Sequence, residues 1–261
     1  MYVGGLNENF SKLFKAMNPD LYVMSGLQMM DHFQYQPNER DQIIKRIKNF
    51  AIENRSVKTH FELASFADSE LVSELINQVI PYSDSIGCNE QELPNIYSAL
   101  KFGKITTISA SMPKVAEILD TLVETFQLLQ TIESDRKPSR IHVHTLAYQA
   151  IIQRNDAETD KMWPNIKEAA ARAAITAIRH VCQDENISDQ NSKILLDGSF
   201  RRSAKKEPVV RQYVDIKEGV TCWSEDNYKI CLATGLVCTK VKQTAGGGDN
   251  ISAAGLAAQL P

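Results

Sequence analysis

The chain has 261 residues, which is enough for one α/β domain with a sizeable core or for two small domains. Hydrophobic residues make up 43% and charged residues 23%, as in ordinary globular proteins. The formal net charge of -3 leaves no basic surplus for a phosphate backbone, so we expect no nucleic-acid partner. No apolar run approaches the ~20 residues of a membrane-spanning helix, and we therefore expect no membrane span.

The five cysteines include no Cys-x-x-Cys pair and have no histidine at metal-ligand spacing. Scattered buried thiols are the simplest interpretation, and a reducing compartment suits them. The first residues do not resemble a secretory signal peptide, since Met1 to Gly5 leads into the polar run Asn7-Glu8-Asn9. Taken alone, the chain therefore predicts a cytoplasmic protein. The cysteines are Cys88, Cys182, Cys222, Cys231 and Cys238.

The first two thirds of the chain alternate between helical and strand patterns. Apolar residues at helical spacing predict a first helix over 6–17, which Pro19 ends. The continuous apolar run 21–24 predicts a buried parallel strand. The same criteria predict helices over 38–54, 69–80, 113–132 and 157–182, and strands over 57–64, 83–87 and 140–145. This alternation is typical of an α/β fold with a doubly wound, mostly parallel sheet and flanking helices.

The last third has a different pattern, with short β-rich segments separated by polar turns. We predict strands over 192–196, 209–214, 220–223 and 228–232, a loop over 240–248 and a closing helix over 249–259. No internal repeat or low-complexity linker interrupts the chain. We therefore predict a single domain over 1–261, with a weak internal boundary near 183–191.

The glycine-rich segment Gly246-Gly247-Gly248-Asp249 is the strongest chemical signal. Glycines let the backbone approach a bound group closely, and the N-terminus of a helix favours phosphate or a developing anion. The carboxylate of Asp249 beside such a site is well placed to take a proton from an attacking hydroxyl. A general base next to an anion site is the minimum equipment for phosphoryl transfer.

A structural interpretation of the same segment stands beside this one, because glycine-rich turns with an aspartate at a helix start are common. The segment is not a Walker A motif, since no Gly-Lys-Ser/Thr follows. It also makes a poor Rossmann fingerprint, because it lies at the end of the chain without a following β-α-β unit.

Segment 244–256 resembles the C-terminal signature of the ribokinase superfamily, and in detail that of the ADP-dependent glucokinase and phosphofructokinase family. Four further segments resemble motifs of the same family in the same order. Together the matches extend over essentially the whole chain, which makes them far more specific than any one alone. The four are Pro-Asp-Leu-Tyr-Val-Met-Ser-Gly-Leu-Gln-Met-Met at 19–30, His-Phe-Glu at 60–62, Asn-Glu-Gln-Glu at 89–92 and Arg-Ile-His-Val-His-Thr at 140–145.

The resemblance implies roles for particular residues. Asp249 would be the catalytic base, with Gly246, Gly247 and Gly248 forming the anion hole. Asn89 and Glu92 would act through Mg²⁺ and its water shell, with Glu62 in support. The alternative for Asn89 and Glu92 is structural: they suit a capping box at the start of the next helix. The implied metal residues are Glu62, Glu92 and Asp249.

The resemblance also places His144 and Val237 beside the nucleotide base. His142 and His144 share one strand face, but no third metal ligand is apparent, so buried structural histidines are the simpler interpretation. Gln28 follows a strand where α/β sheets bind ligands, and we predict that it contacts the substrate. The implied reaction is transfer from ADP to glucose with Mg²⁺, giving glucose 6-phosphate and AMP. We expect ADP, AMP and glucose as partners, and a monomer.

The chain departs from the family in length, because family members are nearly twice as long. The resemblance implies that the first β-α units and most of the lid domain are missing at the N-terminal end. The chain is then a fragment or incomplete gene model, a shorter isoform, or a relict that binds nucleotide without turnover. An ATP-dependent sugar kinase is a further alternative. If this sequence lacks an N-terminal targeting segment that the protein has, we expect the endoplasmic reticulum as its location.

Overall fold

The computed structural model describes residues 8–65, 68–106, 114–134, 136–184, 186–188, 190–215, 217–225 and 227–260. The predicted helix starts at residues 6 and 113 lie outside these ranges, as does part of the predicted boundary near 183–191. The helices are α1 (Glu8–Met17), α2 (Glu39–Glu53), α3 (Ser69–Gln78), α4 (Leu93–Phe102), α5 (Val115–Thr131), α6 (Ala157–Met162), α7 (Ile166–Cys182) and α8 (Gly247–Ala257). The strands are β1 (Leu21–Met24), β2 (Lys58–Glu62), β3 (Ser85–Asn89), β4 (Arg140–His144), β5 (Tyr148–Arg154), β6 (Ser192–Ile194), β7 (Ser199–Arg201), β8 (Arg211–Tyr213), β9 (Val220–Glu225), β10 (Tyr228–Thr234) and β11 (Leu236–Cys238).

The main sheet has the order β1-β2-β3-β4-β5-β10-β9. Strands β1 to β4 are parallel, whereas β5, β10 and β9 join by antiparallel pairs. The prediction of an α/β sheet is confirmed. The prediction that the first strand is buried is wrong, because β1 forms the edge of the sheet and its Val23 is 44% exposed. A strand at the edge of a sheet is less buried than a central strand. The short apolar run alone does not show that β1 lies at the edge.

Helices cover both faces of the sheet. On one face α5 packs against β4 and β5, and α3 and α4 extend the same layer. On the other face α7 packs against β5 and β10, and α8 against β3 and β4. The strands of this central region are therefore buried on both sides, as every residue of β4 shows. Short two-stranded ribbons, β6 with β11 and β7 with β8, complete the last third.

Two local predictions are wrong. The helix predicted over 157–182 is divided into α6 and α7 at Trp163-Pro164-Asn165, where Asn165 has a φ of 57°. Pro164 lacks the amide that a continuous helix requires, which explains the break. Strand β5 has no counterpart among the predicted strands, although it lies at the centre of the sheet between β4 and β10.

Four of the five cysteines form disulfides, so the expectation of scattered thiols is wrong for them. Cys182 at the end of α7 joins Cys238 in β11, and Cys222 joins Cys231. The second pair lies directly opposite in the β9–β10 ladder, a relation that depends on strand register. Cys88 is the free, buried cysteine of the described residues. In the part of the chain that the structure describes, no helix combines the length and apolar character needed to cross a membrane.

Candidate functional site

The predicted site residues converge at the carboxyl edge of the parallel strands. Glu62 ends β2, Asn89 ends β3 and His144 ends β4, with Asn89 directly opposite His144 in the ladder. The first turn of α8 lies against the same edge, because a Cβ atom on Gly248 would be 3.0 Å from His144 Cε1. Carboxyl edges of parallel strands are where open α/β sheets bind ligands.

The centre of this site is a buried carboxylate held by two histidines. Glu62 Oε1 lies 2.8 Å from His144 Nε2, and Glu62 Oε2 lies 2.8 Å from His60 Nε2. Glu62 is only 7% exposed. Burial acts to raise the pKa of Glu62, but the hydrogen bonds from His144 and His60 hold that pKa well below its usual range. Glu62 is therefore ionised, with both oxygens engaged.

The two histidines respond to this carboxylate differently. Burial lowers the pKa of His60 below its ordinary value despite the bond to Glu62. Burial also acts to lower the pKa of His144, but the hydrogen bond and charge of Glu62 prevail and raise it. His60 also links the strand to α8, because Ser252 Oγ lies 3.2 Å from its Nε2 atom. The network thus fixes α8 against the sheet.

Asn89 and Glu92 form a reciprocal turn before α4. Asn89 Oδ1 accepts hydrogen bonds from the amides of Gln91 and Glu92, both at 2.8 Å. Glu92 Oε2 accepts the Asn89 amide at 3.0 Å. These reciprocal bonds are those of a capping box, but they close the turn before α4 and do not cap that helix, whose N-cap is Glu92 and has no side-chain cap bond. The turn also holds the Glu92 carboxyl group at the site, where the same group can serve a metal ion.

Glu92 is 5% exposed, and burial raises its pKa to about 7, against the opposing hydrogen bond from the Asn89 amide. Among the described residues, its Oε1 atom has one hydrogen-bond contact, a long one of 3.5 Å from Ser65 Oγ. Glu62 would have to give up a histidine to ligate a metal directly, so Glu92 is the better donor. Among the described residues, no group of three or more His, Cys, Asp or Glu side chains forms a metal cage. The donors fit a Mg²⁺ that keeps most of its waters.

The glycine turn, residues 244–248, leads straight into α8, which begins at Gly247 rather than at the predicted Asp249. Gly246 has a φ of 73°, a left-handed conformation that favours glycine. The first helical hydrogen bond comes from the Asn250 amide to Gly246 O at 3.1 Å. The amides of Gly248 and Asp249 precede it and lack an intrahelical acceptor. Asp249 is exposed in this first turn, so its carboxylate is accessible to a bound substrate.

The sheet-facing side of α8 contacts a row of buried polar groups that the sequence analysis missed. Ser252 contacts His60, and a Cβ atom on Gly255 would lie 3.3 Å from His142 Cε1. Gln259, just beyond the helix, accepts a bond of 2.6 Å from Arg140 Nε, and burial lowers the pKa of Arg140 to about 9. Positions 248, 252, 255 and 259 follow helical spacing, and these small or polar residues in an alanine-rich helix were the available signal.

The remaining predicted residues differ in their surroundings. His142 and His144 rings are 5.8 Å apart, but His142 Nε2 bonds Gln149 Oε1 at 3.2 Å, which supports the structural interpretation. Gln28 lies in a 3-10 helix after β1, and its Oε1 is buried without a hydrogen-bond partner among the described residues. Val237 lies in β11, opposite Lys193. No described hydrogen bond connects Gln28 or Val237 to Glu62.

Fold and site together define an α/β protein with a helix N-terminus and buried acids at the carboxyl edge of its sheet. Residues 5–258 match the model of the ADP-specific phosphofructokinase/glucokinase conserved region. The chain belongs to this family of ADP-dependent sugar kinases.

The relatives agree with this assignment. The chain is 31% identical over 259 residues to the ADP-dependent glucokinase of Bos taurus, a match that covers 97% of this chain and 50% of that protein. It is 29% identical over 262 residues to the probable ADP-dependent glucokinase of Caenorhabditis elegans, covering 95% and 50%. The chain thus spans about half the length of the curated relatives it matches.

The solved structures agree at the level of the fold. A hypothetical ADP-dependent phosphofructokinase from Pyrococcus horikoshii OT3 superposes with a TM-score of 0.64 at 18% identity, covering 97% of this chain and 54% of that one. An ADP-dependent kinase in complex with fructose-6-phosphate and ADPbetaS gives a TM-score of 0.60 at 16% identity, covering 97% and 56%. The predicted α/β fold, a sheet with flanking helices, is confirmed by this likeness.

Proposed function

We propose that this chain carries the nucleotide-binding and catalytic centre of an ADP-dependent glucokinase. The reaction transfers the β-phosphoryl group of ADP to the 6-hydroxyl of D-glucose and gives glucose 6-phosphate and AMP. The family supports ADP as donor, and the glucokinases of Bos taurus and Caenorhabditis elegans support glucose as acceptor. The observation that carries the proposal is the exposed Asp249 in the first turn of α8, beside the Glu62–His144 pair.

The amino end of α8 is proposed to bind the transferred phosphoryl group. Its amides at Gly248 and Asp249 lack helical acceptors, and the positive end of the helix dipole favours an anion there. Charge on the phosphoryl oxygens in the transition state is then met by donors already in position. Gly246 and Gly247 let the phosphate approach the backbone without a side chain in the way.

Asp249 is proposed to accept the proton of the sugar 6-hydroxyl as that oxygen attacks phosphorus. An exposed carboxylate next to the anion site satisfies the geometric requirement for a general base. Gln28 is proposed to contact the sugar, because its buried Oε1 has no hydrogen-bond partner among the described residues. Val237 is proposed to contact the adenine.

Mg²⁺, when bound, would neutralise charge on the phosphate oxygens. Glu92 would hold its water shell, oriented by the turn with Asn89, and Asp249 would face the ion from α8. Glu62 would add negative charge while keeping His144 oriented. His144 was expected beside the adenine. We propose instead that it supports Glu62, since its Nε2 atom is already engaged by that carboxylate.

The test is an assay of glucose 6-phosphate formation with ADP or ATP as donor. We expect activity with ADP and little with ATP. An equal or higher rate with ATP would contradict the assignment of ADP as the phosphoryl donor. Asp249→Ala should lower kcat by several orders of magnitude with little change in ADP affinity, because it removes the base and leaves the amides. A modest loss of activity would exclude Asp249 as the base.

A second function is supported by the amides of Gly248 and Asp249, which lack helical acceptors and can bind a phosphate group whether or not transfer follows. It is nucleotide binding without turnover, because phosphoryl transfer needs the acceptor sugar held in line and water excluded. Calorimetric titration with ADP and AMP, run beside the turnover assay, separates the two. Binding without product supports the binding module, whereas robust turnover by this chain excludes it.

A further inference from the structure

The last turn of α7 contacts the glycine turn directly. His180 Nε2 donates a hydrogen bond of 2.9 Å to the carbonyl oxygen of Ala245. The imidazole also lies against the next residues, because a Cβ atom on Gly247 would be 3.7 Å from His180 Cδ2. The loop before the glycine turn is also fixed to the last turn of α7, since Val181 O accepts the amides of Lys242 and Gln243 at 2.9 and 3.3 Å. The end of α7 thus supports the segment that enters α8.

The carbonyl groups of the glycine turn all have identified donors. Thr244 O accepts the Gly247 amide at 3.1 Å, and Gly246 O accepts the backbone and side-chain amides of Asn250 at 3.1 and 2.7 Å. Ala245 O is the carbonyl that His180 holds. Three successive carbonyls are therefore directed toward protein donors, and of the amides in the turn that of Gly247 is engaged by Thr244 O.

The bond to Ala245 has a consequence for the following amide. In a planar trans peptide the C=O and N–H bonds point in opposite directions. Holding the Ala245 carbonyl toward α7 therefore turns the Gly246 N–H away from α7. Gly246, at a φ of 73°, has no Cβ to hinder rotation of this peptide. The Gly246 N–H can then serve the proposed phosphate site as a third donor, beside the amides of Gly248 and Asp249. Without the imidazole the peptide can rotate and replace this N–H with the Ala245 carbonyl oxygen.

We propose that His180 is a positioning residue that orients the Gly246 amide for the phosphoryl group of ADP. The inference rests on the proposed function of the glycine turn. A second donor to Ala245 O is the side chain of Gln243, but its contact is longer, at 3.3 Å, and the residue is exposed. His180 therefore carries more of the orientation than Gln243 does.

The experiment is calorimetric titration of the chain with ADP and with AMP, which lacks the β-phosphate. His180→Ala should weaken ADP binding by about two- to tenfold, the range expected for one net hydrogen bond, and leave AMP binding within about twofold. His180→Gln should restore ADP binding, because its amide can donate to Ala245 O. Arg179→Ala is the matched control in the same helical turn, and Gln243→Ala should cost less than His180→Ala.

The outcomes separate this inference from the function it rests on. Wild-type chain that binds neither nucleotide overturns the proposed function and this role together. Wild-type chain that binds ADP while His180→Ala binds it equally well overturns the role of His180 alone. Equal losses for ADP and AMP, or a melting temperature lowered as much by His180→Gln as by His180→Ala, would show a merely structural role.

Discussion

The two faces of the central sheet differ in chemistry although they are built from the same strands. In β4, Ile141 and Val143 join the apolar cluster beneath α5, whereas Arg140, His142 and His144 belong to the polar network on the α8 face. The same alternation holds in β2 and β3. On the α8 face lie His60, Glu62, Ser85, Gly87 and Asn89, and on the other face lie Phe61, Ile86 and Cys88.

This difference assigns separate tasks to the two faces. The apolar face provides burial, the main favourable term in folding. On the α8 face, buried polar groups hydrogen-bond one another, except that Arg140 Nη2 and His142 Nδ1 have no partner among the described residues. Their desolvation costs free energy that burial elsewhere offsets. That arrangement places one end of α8 beside Glu62 and His144. We therefore expect substitutions on the apolar face to lower the free energy of unfolding more than substitutions on the α8 face.

The largest effect is expected on the apolar face. Phe61→Ala should lower the free energy of unfolding by about 3–5 kcal/mol, because a fully buried aromatic ring leaves a cavity. Urea denaturation monitored by circular dichroism measures this. A loss below about 1 kcal/mol would show that this face does not carry the stability of the fold.

A smaller effect is expected from adding one methyl group to the polar face. The Cβ atom of Gly87→Ala would overlap the Glu62 carboxylate and lie 2.9 Å from His60 Nε2. We expect a loss of about 1–3 kcal/mol in the same denaturation experiment. Gly198→Ala is the matched control, since nothing lies within 4 Å of its Cβ position. Equal stability of the two variants would contradict close packing around Glu62.

The polar face should also make stability depend on pH. Burial lowers the pKa of His142 well below its ordinary value, so below pH ~6.5 the unfolded chain binds a proton that the folded chain does not. The contribution is present above that pH and is lost as pH falls, by at most about 1.4 kcal/mol per pH unit. His142→Gln should reduce the difference between unfolding free energies at pH 7 and pH 5. The exposed His32→Gln is the control, and an unchanged difference in His142→Gln would contradict this assignment.

The smallest effect concerns Cys88 on the apolar face. It is fully buried, and burial raises the pKa of its thiol well above the usual range, so the thiol should not react in the native protein. Titration with a thiol reagent should detect one thiol in denaturant without reductant, because two disulfides hold the other four cysteines. Five reactive thiols under those conditions would contradict the disulfides.

Much of this division could be predicted from the sequence. The pattern of 140–145 predicted a strand with histidines on one face, and alternating β and α segments predicted a mostly parallel sheet with flanking helices. The site roles of Glu62 and Asn89 came from the resemblance to the family. Their side-chain partners could not be predicted, because Glu62 and His144 are 82 residues apart and meet only through the order of the strands. The Cys222–Cys231 bond likewise depends on the register of β9 and β10.

Strand β5 and the break before α7 show two further limits. Tyr148–Arg154 is buried on both faces apart from its last residue, so it lacks the alternation that identifies a half-exposed strand. Pro164 interrupts a segment whose alanine-rich pattern otherwise continues as one helix. For β5 the tertiary surroundings decide the structure, whereas the break before α7 has a local cause in Pro164.

The most direct measurement is a crystal structure of this chain with ADP and Mg²⁺. We expect the β-phosphate at the start of α8, with its oxygens within hydrogen-bonding distance of the Gly248 amide and with Asp249 and Glu92 facing the same group. ADP bound elsewhere on the chain, or a β-phosphate directed away from Gly248 and Asp249, would contradict it.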